Sequence, residues 1–317
     1  MDTIEPVQKS GQPASTALDA RSIQPAGFLL ALSADWIVER VSANVGGFLG
    51  REPDQLIGAP ASDFLADDAI HALRNRLALL RDPDGIERIF ACRLTGDERA
   101  SDVAIHVADD TVIVEAEPST TNLYGDVTGT LRGMLGRLEL APDFPQFLTA
   151  GARQLRALTG YDRVMITRIE ADGSGAVVAE CERSGLGSYL GRRFPAGTLS
   201  QEQRSRFMRS PLHVVVDVDA DPALLVSDIA EPLDLSRSVL RCASPARLEQ
   251  LRAMDARASQ SIALIVNRRL WGLIACHHHA PRSPSFERRS MAELFAQMFA
   301  MRIEIAELKT GTAEPRA

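Results

Sequence analysis

Four cysteines and a run of three histidines are the side chains of this sequence best suited to chemistry. Thiolates act as nucleophiles, redox groups and metal ligands, and imidazoles bind zinc and other transition metals. The cysteines lie far apart and form no C-x-x-C pair of the kind that zinc sites and thioredoxin-like motifs use. We therefore expect most of them to be small buried side chains. They are Cys92, Cys181, Cys242 and Cys276.

The histidine run, His277 to His279, follows an apolar stretch that is typical of a strand. Alternate side chains of a strand share a face, so at most two of the three could bind one ion. No cysteine or carboxylate spacing nearby supplies the remaining ligands, and a metal site is not predicted. Arg241 could hold an anion such as a propionate or a nucleotide phosphate. A salt bridge to one of the 42 acidic residues is the more common role of an arginine.

Composition and motifs exclude several functions. A net charge of −7 argues against a broad nucleic-acid surface. No apolar run is long enough to span a membrane, and the first 22 residues lack the apolar core of a secretory signal, so we expect a cytoplasmic protein. No G-x-S-x-G, H-E-x-x-H, P-loop or kinase sequence occurs, which predicts a protein that is not an enzyme.

The elements that must position these side chains form two α+β regions, since 317 residues exceed the usual size of one core. In the first region, alternating and apolar runs predict a hairpin over 28–42, an amphipathic helix over 68–81, and strands at 86–93, 103–107 and 111–118.

In the second region, a helical linker over 121–140 precedes an amphipathic helix that ends at Gly160, where a helix often has a glycine cap. Strands are predicted at 161–170 and 176–182, with two more joined around Asn267. A last helix runs from 286 to 308. Its apolar residues alternate at spacings of three and four, which indicates either a dimerisation seam or a core-facing stripe: Met291, Leu294, Met298, Met301, Ile305 and Leu308.

Four stretches in order resemble the bacteriophytochromes: SIQPAGFLLAL at 22–32, TGYDRVMITRI at 159–169, LRCASPARLEQLRAM at 240–254 and RRLWGLIACHH at 268–278. The resemblance covers residues 20–308 and implies a PAS domain followed by a GAF domain, both with antiparallel sheets flanked by helices. It also implies an N-terminal segment threaded through a GAF loop between His213 and Val239. The expected divisions are a flexible segment 1–20, PAS 21–120, linker helix 121–140, GAF 141–308 and tail 309–317.

Members of that family hold a linear tetrapyrrole, and several of their pigment-binding residues are replaced here. No cysteine precedes Cys92, so the bacterial attachment point is missing. The I-Q-P-H-G motif has Ala26 in place of histidine, the P-A-S-D-I-P motif has Thr198 in place of aspartate, and the S-P-x-H-L motif has Arg247 in place of histidine. Arg241 is retained at one propionate position and the other is His213. The ring-D tyrosines are replaced by Thr167, Phe207 and Gln250.

The resemblance therefore implies a phytochrome-like sensory module with a degenerate bilin pocket. Biliverdin or another linear tetrapyrrole would be held non-covalently, if at all. The pocket candidates are Ile23, Pro25, Thr167, Thr198, Phe207, His213, Arg241, Ser244, Arg247, His277 and His278, with Cys242 as a possible attachment or redox thiol.

Two other functions remain open from sequence. One is a pigment-free redox or protein-interaction module, and the other is a small enzyme on a GAF scaffold, such as a methionine-sulfoxide reductase. The second would need closely spaced cysteines, which are not present in the sequence. The expected partners are a second copy of the chain and a separate or deleted output protein, such as a histidine kinase or a regulator.

Overall fold

The computed structural model describes residues 21–81, 85–120 and 126–310, without the side chains of residues 309 and 310. The predicted flexible segment 1–20, the start of the linker at 121–125 and the tail beyond 310 lie outside the described residues.

The described residues contain thirteen strands and eight α-helices. The strands are β1 (Ser22–Ile23), β2 (Phe28–Leu32), β3 (Val38–Ser42), β4 (Glu87–Cys92), β5 (Ser101–Ala108), β6 (Thr111–Pro118), β7 (Arg163–Ile169), β8 (Gly175–Glu182), β9 (Arg193–Phe194), β10 (Leu212–Val215), β11 (Ala223–Val226), β12 (Ala258–Val266) and β13 (Arg269–His278). The helices are α1 (Gly46–Leu49), α2 (Pro53–Leu56), α3 (Asp67–Ala78), α4 (Val127–Leu138), α5 (Phe144–Thr159), α6 (Gln201–Arg209), α7 (Pro245–Ala253) and α8 (Phe286–Thr310).

These elements fold into two compact units. The first unit contains residues 21–120 together with residues 215–254, and the second contains residues 126–214 together with 255–310. The first unit therefore includes a segment that is distant in sequence.

A seven-stranded sheet forms the first unit, in the order β1-β11-β3-β2-β6-β5-β4. The predicted hairpin is β2 and β3, which pair antiparallel, and the helix predicted over 68–81 is α3. One face of the sheet packs against the short helices because alternate strand residues are apolar. The core on that face includes Phe28, Leu30, Leu32, Val41, Leu56, Leu73, Val103, Ile105 and Val114.

Residues 215–254 cover the other face of the same sheet. Leu233, Leu235 and Leu240 pack there against Leu29 and Ile113. The buried carboxylate of Glu115 on β6 accepts hydrogen bonds from the segment's backbone and from one of its hydroxyls. This second face is therefore closed by both apolar contacts and a carboxylate.

The N-terminal strand β1 lies between two parts of this covering segment. Ile23 pairs with Ala223 of β11 on one side and forms a bridge with Arg241 on the other. The side chain of Gln24 donates to the carbonyl of Arg241 at 3.0 Å and accepts from the amide of Val216 at 2.9 Å. The described residues thus have the arrangement that the predicted threading requires, and residues 1–20 that would complete the passage are outside them.

A six-stranded sheet forms the second unit, in the order β10-β12-β13-β7-β8-β9. Helices α4, α5 and α8 contribute to the core on one of its faces. The ring of Phe299 stacks on Phe147 with centroids 4.7 Å apart and on Phe295 at 5.8 Å. Gly151 of α5 lies beneath this ring, and an added Cβ would be 2.5 Å from it. The close contact between α5 and α8 requires glycine at this position.

Helix α8 has two apolar faces. Met291 is buried with Phe295, Phe299 and Ile303 in the core of the second unit. The other predicted seam residues are less buried. Leu294, Met301, Ile305 and Leu308 are 44–58% exposed, and Met298 is half-buried. Within the described residues, no helix is apolar and long enough to cross a membrane.

Candidate functional site

The sheet of the second unit has a face opposite its helices, and this face carries two of the predicted pocket residues. His277 on β13 stands opposite Ser259 on β12 and Arg163 on β7. Thr167 is two alternations further along β7, on the same face, opposite Leu273. His277 is buried and Thr167 is half-buried.

Small side chains lie beside His277 on β12 and β13 of this face. Ser261 and Ala263 follow Ser259 along β12, and Ala275 lies between them and β7. Ser259 and Ser261 are both buried. Small residues leave room above a sheet, and hydroxyl and imidazole groups offer hydrogen bonds, which is the combination that ligand-binding faces use.

A buried ion pair beside His277 was not predicted from the sequence. The guanidinium of Arg163 contacts the carboxylate of Glu180 on β8, and both side chains are less than 10% exposed. The other oxygen of Glu180 accepts from the amides of Tyr189 at 2.7 Å and Leu190 at 3.0 Å. The pair therefore fixes the loop after β8 next to the candidate face. Charged residues at alternate positions of apolar strands were the signal available in the sequence.

The remaining candidates of the second unit lie elsewhere. Thr198 is exposed, and its hydroxyl donates back to the carbonyl of Pro195 at 2.8 Å. Phe207 is half-buried on α6, and His213 is half-buried on β10 at the edge of the sheet.

The first unit holds the other five candidates. Ile23 is fully buried in β1, whereas Pro25 is exposed. Arg241 is buried, and its guanidinium donates to the carbonyls of residues 236 and 238 at 3.1 and 3.2 Å. Ser244 caps α7 by accepting from the amide of Arg247 at 3.4 Å. The structure thus brings Ile23 and Arg241 together, with Ser244 three residues along the chain.

Cys242 also belongs to the first unit. It is a half-buried thiol outside any disulfide, and its sulfur accepts from the hydroxyl of Ser22 at 3.6 Å. Cys92 and Cys276 are buried, as expected, and burial raises the pKa of the Cys276 thiol to about 12. A thiol with so high a pKa is a poor nucleophile.

The expectation that no carboxylate joins the histidine run was wrong. His278 and His279 both contact the carboxylate of Asp162 through their Nδ1 atoms. Strand β13 ends at His278, so the alternation that separates neighbouring side chains does not extend to His279. Asp162 precedes β7, which pairs with β13, and it is therefore close to both rings although 116 residues separate it from His278.

A cleft of about 1000 Å³ also lies within the second unit, between α6, the β12–β13 turn and the end of α8. Its lining includes Arg168, Arg204, Arg269, Trp271 and Glu307, and none of the predicted pocket residues lines it. Glu307 accepts a hydrogen bond from the Trp271 indole at 2.7 Å.

Comparison with known proteins assigns two consecutive parts of the chain to families, and the second part includes residues 215–254 of the first unit. Residues 18–119 match the family model described as PAS fold, and residues 143–307 match the GAF domain model. The wild-type chromophore-binding domain of a Stigmatella aurantiaca phytochrome superposes with a TM-score of 0.80 at 32% identity, covering 88% of this chain and 95% of that chain. The chain belongs to the bacteriophytochrome family. The predicted order of PAS and GAF domains is confirmed.

Other phytochromes are similar over the same region. The chromophore-binding domain of an unusual R. palustris bacteriophytochrome superposes with a TM-score of 0.80 at 33% identity, covering 91% of this chain and 96% of that one. Cyanobacterial phytochrome B of Nostoc sp. is 32% identical over 92% of this chain and 40% of its own length. A bacteriophytochrome of Pseudomonas aeruginosa is 32% identical over 93% and 41%. This phytochrome-like sensory module therefore spans about 40% of the length of those relatives.

Proposed function

We propose that this module senses light through a linear tetrapyrrole, such as biliverdin, that it holds without a thioether bond. The observation that carries the proposal is the absence of cysteine from residues 1–91, the region in which bacterial members of the family attach their pigment. A tether of that kind needs a thiol within reach of the pigment's vinyl group. The two solved relatives described above are chromophore-binding domains, which supports a pigment as the ligand.

Several residues that contact the bilin in the family are replaced in this chain, which supports loose, non-covalent binding of the pigment. A bilin carries two propionates, and burial of an anionic group is costly unless a cation pairs with it. Arg241 is the one arginine retained at the family's propionate positions, and the second position has His213. Thr198 offers a hydroxyl that bonds to its own turn, where the family has an aspartate that contacts the pyrrole nitrogens.

A pigment-free redox function is less well supported by the thiols. Burial raises the pKa of Cys92 as well as that of Cys276, which lowers the thiolate fraction at neutral pH. Cys181 and Cys242 are the thiols best placed for chemistry, because both are half-buried.

The test is reconstitution of the purified protein with biliverdin. We expect red absorbance that is lost on denaturation, with no pigment on the denatured chain. The variant with Gln12→Cys, Thr198→Asp and Arg247→His should bind more pigment and retain it after denaturation. Gln8→Cys combined with the same two pocket changes is the matched control, because it adds a thiol at a different distance from the motif.

Two results would contradict the proposal. A covalent adduct on the wild type that disappears in Cys242→Ser would make Cys242 an attachment site. Wild-type protein that folds normally and acquires no red absorbance with biliverdin would favour the pigment-free alternative.

The signalling partners complete the proposal. We propose a parallel homodimer in which the exposed stripe of α8 packs against its copy, since an apolar stripe on a long helix is stabilised by burial. The module would signal to a histidine kinase or a regulator. This output protein would be either a separate partner or a further domain, like the additional length that the relatives have.

A further inference from the structure

A cluster of one aspartate and two histidines lies at one end of the sheet in the second unit. Asp162 is in the turn between α5 and β7, His278 is the last residue of β13, and His279 follows it. One ligand atom from each of the three residues lies within 4.8 Å of the others. The proposed pigment chemistry does not use this cluster.

We infer that Asp162, His278 and His279 form a binding site for a divalent transition metal, with Zn²⁺ as its representative. Two imidazole nitrogens and one carboxylate oxygen are a donor set that zinc prefers in open sites, where water occupies the fourth position. The His279 side chain is 52% exposed, so an ion and its water can reach the cluster from solvent. The side chains of Asp162 and His278 are 10% and 14% exposed and are held by the protein.

The ligands are positioned before any ion binds. The backbone amide of His279 donates to the Asp162 carboxylate at 3.1 Å. The backbone carbonyl of Asp162 accepts from the amide of Arg183 at 2.7 Å and from the Arg156 guanidinium at 3.2 Å. These bonds fix the turn that carries the carboxylate. A preorganised site loses less conformational entropy on binding.

Zinc would change the tautomers of the two histidines at this site. Both Nδ1 atoms contact the same carboxylate oxygen, which requires each nitrogen to carry a hydrogen in the metal-free protein. Coordination needs the lone pairs of these nitrogens, so as each metal–nitrogen bond forms, Nδ1 gives its proton to solvent and Nε2 takes one up, which leaves the imidazole neutral. The carboxylate then exchanges hydrogen bonds for a metal–oxygen bond.

Two positively charged arginines lie beside the site and repel a cation, so only metals that bind imidazole nitrogen strongly are expected there. Arg183 lies 3.5 Å from the other carboxylate oxygen of Asp162, and Arg282 lies 3.4 Å from Nε2 of His278. Ca²⁺ and Mg²⁺ depend on several anionic oxygen ligands and should not bind. Zn²⁺, Ni²⁺ and Cu²⁺ bind through imidazole nitrogens, with Cu²⁺ expected to be the tightest. We expect micromolar rather than nanomolar affinity for zinc because of the arginines.

The experiment is a zinc titration of untagged, chelator-stripped protein against a chromophoric zinc indicator. The protein must be free of pigment, because the pyrrole nitrogens of a bilin also bind zinc. We expect one equivalent of Zn²⁺ per chain. His279→Gln should weaken binding by about tenfold or more, since a half-exposed ligand is lost without disturbing the core.

Two matched variants separate metal binding from structural effects. Arg183→Gln removes a half-exposed positive charge beside the carboxylate and should tighten zinc binding several-fold, a gain that no loss of folding would produce. His71→Gln changes an exposed histidine on α3 in the first unit and should leave the titration unchanged. The site is disproved if the wild type takes up no zinc at protein and zinc concentrations of about 100 µM. It is also disproved if His279→Gln, folded by circular dichroism, binds zinc as the wild type does.

Discussion

The two sheets of this protein both bury one face against helices, and they differ in the use of the other face. In the first unit, residues 215–254 of the same chain cover the second face and surround Glu115. In the second unit, the second face carries Ser259, Ser261 and His277, which are small or polar. Buried polar groups therefore hold a distant segment in the first unit, whereas in the second unit they lie at and beside positions proposed for the pigment pocket.

The comparison teaches that burial alone does not distinguish a structural polar group from a functional one. The Glu115 carboxylate accepts a hydrogen bond from the Ser238 hydroxyl. It also accepts from the backbone amides of Val239 and Leu240, both at 2.9 Å. These hydrogen bonds attach residues 238–240 of the covering segment to the sheet. A carboxylate whose hydrogen bonds are used in this way fixes structure, and removal of it leaves the donors of the segment without an acceptor.

The largest expected effect comes from Glu115→Ala. Two buried amides lose their acceptor, which should lower the free energy of unfolding of the first unit by about 3 kcal/mol. Hydrogen exchange of the peptide containing Val239 and Leu240 should accelerate. Ser261→Ala, at a buried position on the second unit's sheet, is the matched control and should change stability by less than about 0.5 kcal/mol. Equal losses in both variants would remove the contrast between the two faces.

A second prediction concerns pH and His106, which is fully buried and whose ring nitrogens have no hydrogen-bond partner among the described residues. Burial, assisted by Arg237 and opposed by Asp234, lowers the pKa of His106 from 6.5 to about 3. The unfolded chain therefore takes up a proton below about pH 6.5 that the folded protein refuses, and stability falls with pH. We expect the wild type to lose on the order of 2 kcal/mol from this group between pH 7 and pH 5.

Denaturant unfolding of the wild type and His106→Gln at pH 5, 6 and 7 measures this difference. Glu115 acts in the opposite direction, because burial raises its pKa from 4.5 to about 7 and its stabilising contribution is lost as pH rises through that window. Comparison of the two proteins at each pH cancels the Glu115 contribution. Identical pH profiles for wild type and His106→Gln would contradict the prediction, and His71→Gln should follow the wild type.

The smallest effect on folding is expected for Met301→Glu with Ile305→Glu. These residues are 56% and 52% exposed on α8, so the monomer should keep its stability within about 0.5 kcal/mol. The proposed dimer should dissociate, because the four new carboxylates would face one another. Light scattering compares this variant with Leu79→Glu, a change at an apolar residue that is 54% exposed on the first unit. A monomeric wild type, or a double variant that remains dimeric, would contradict the proposal that α8 forms the dimer interface.

The sequence by itself determined the local elements and the family. Alternation predicted the hairpin of β2 and β3, the three-and-four spacing predicted α3 and α8, and the glycine signal marked the end of α5 at Gly160, which has a positive φ of 68°. Each of these elements depends on residues that are close in sequence, so its pattern can be recognised without knowledge of the fold. The four motifs in order predicted the PAS and GAF domains that comparison confirmed.

Only the tertiary structure decided which distant residues meet. Glu115 binds a segment 123–125 residues away, and Asp162 meets histidines 116 and 117 residues away. The structure also showed that Met291 in the apolar stripe of α8 is buried and that Met301 in the same stripe is exposed. Residue spacing does not predict such contacts. They arise from strand pairing and helix packing between distant segments, and the apolar pattern of each segment would fit many different partners.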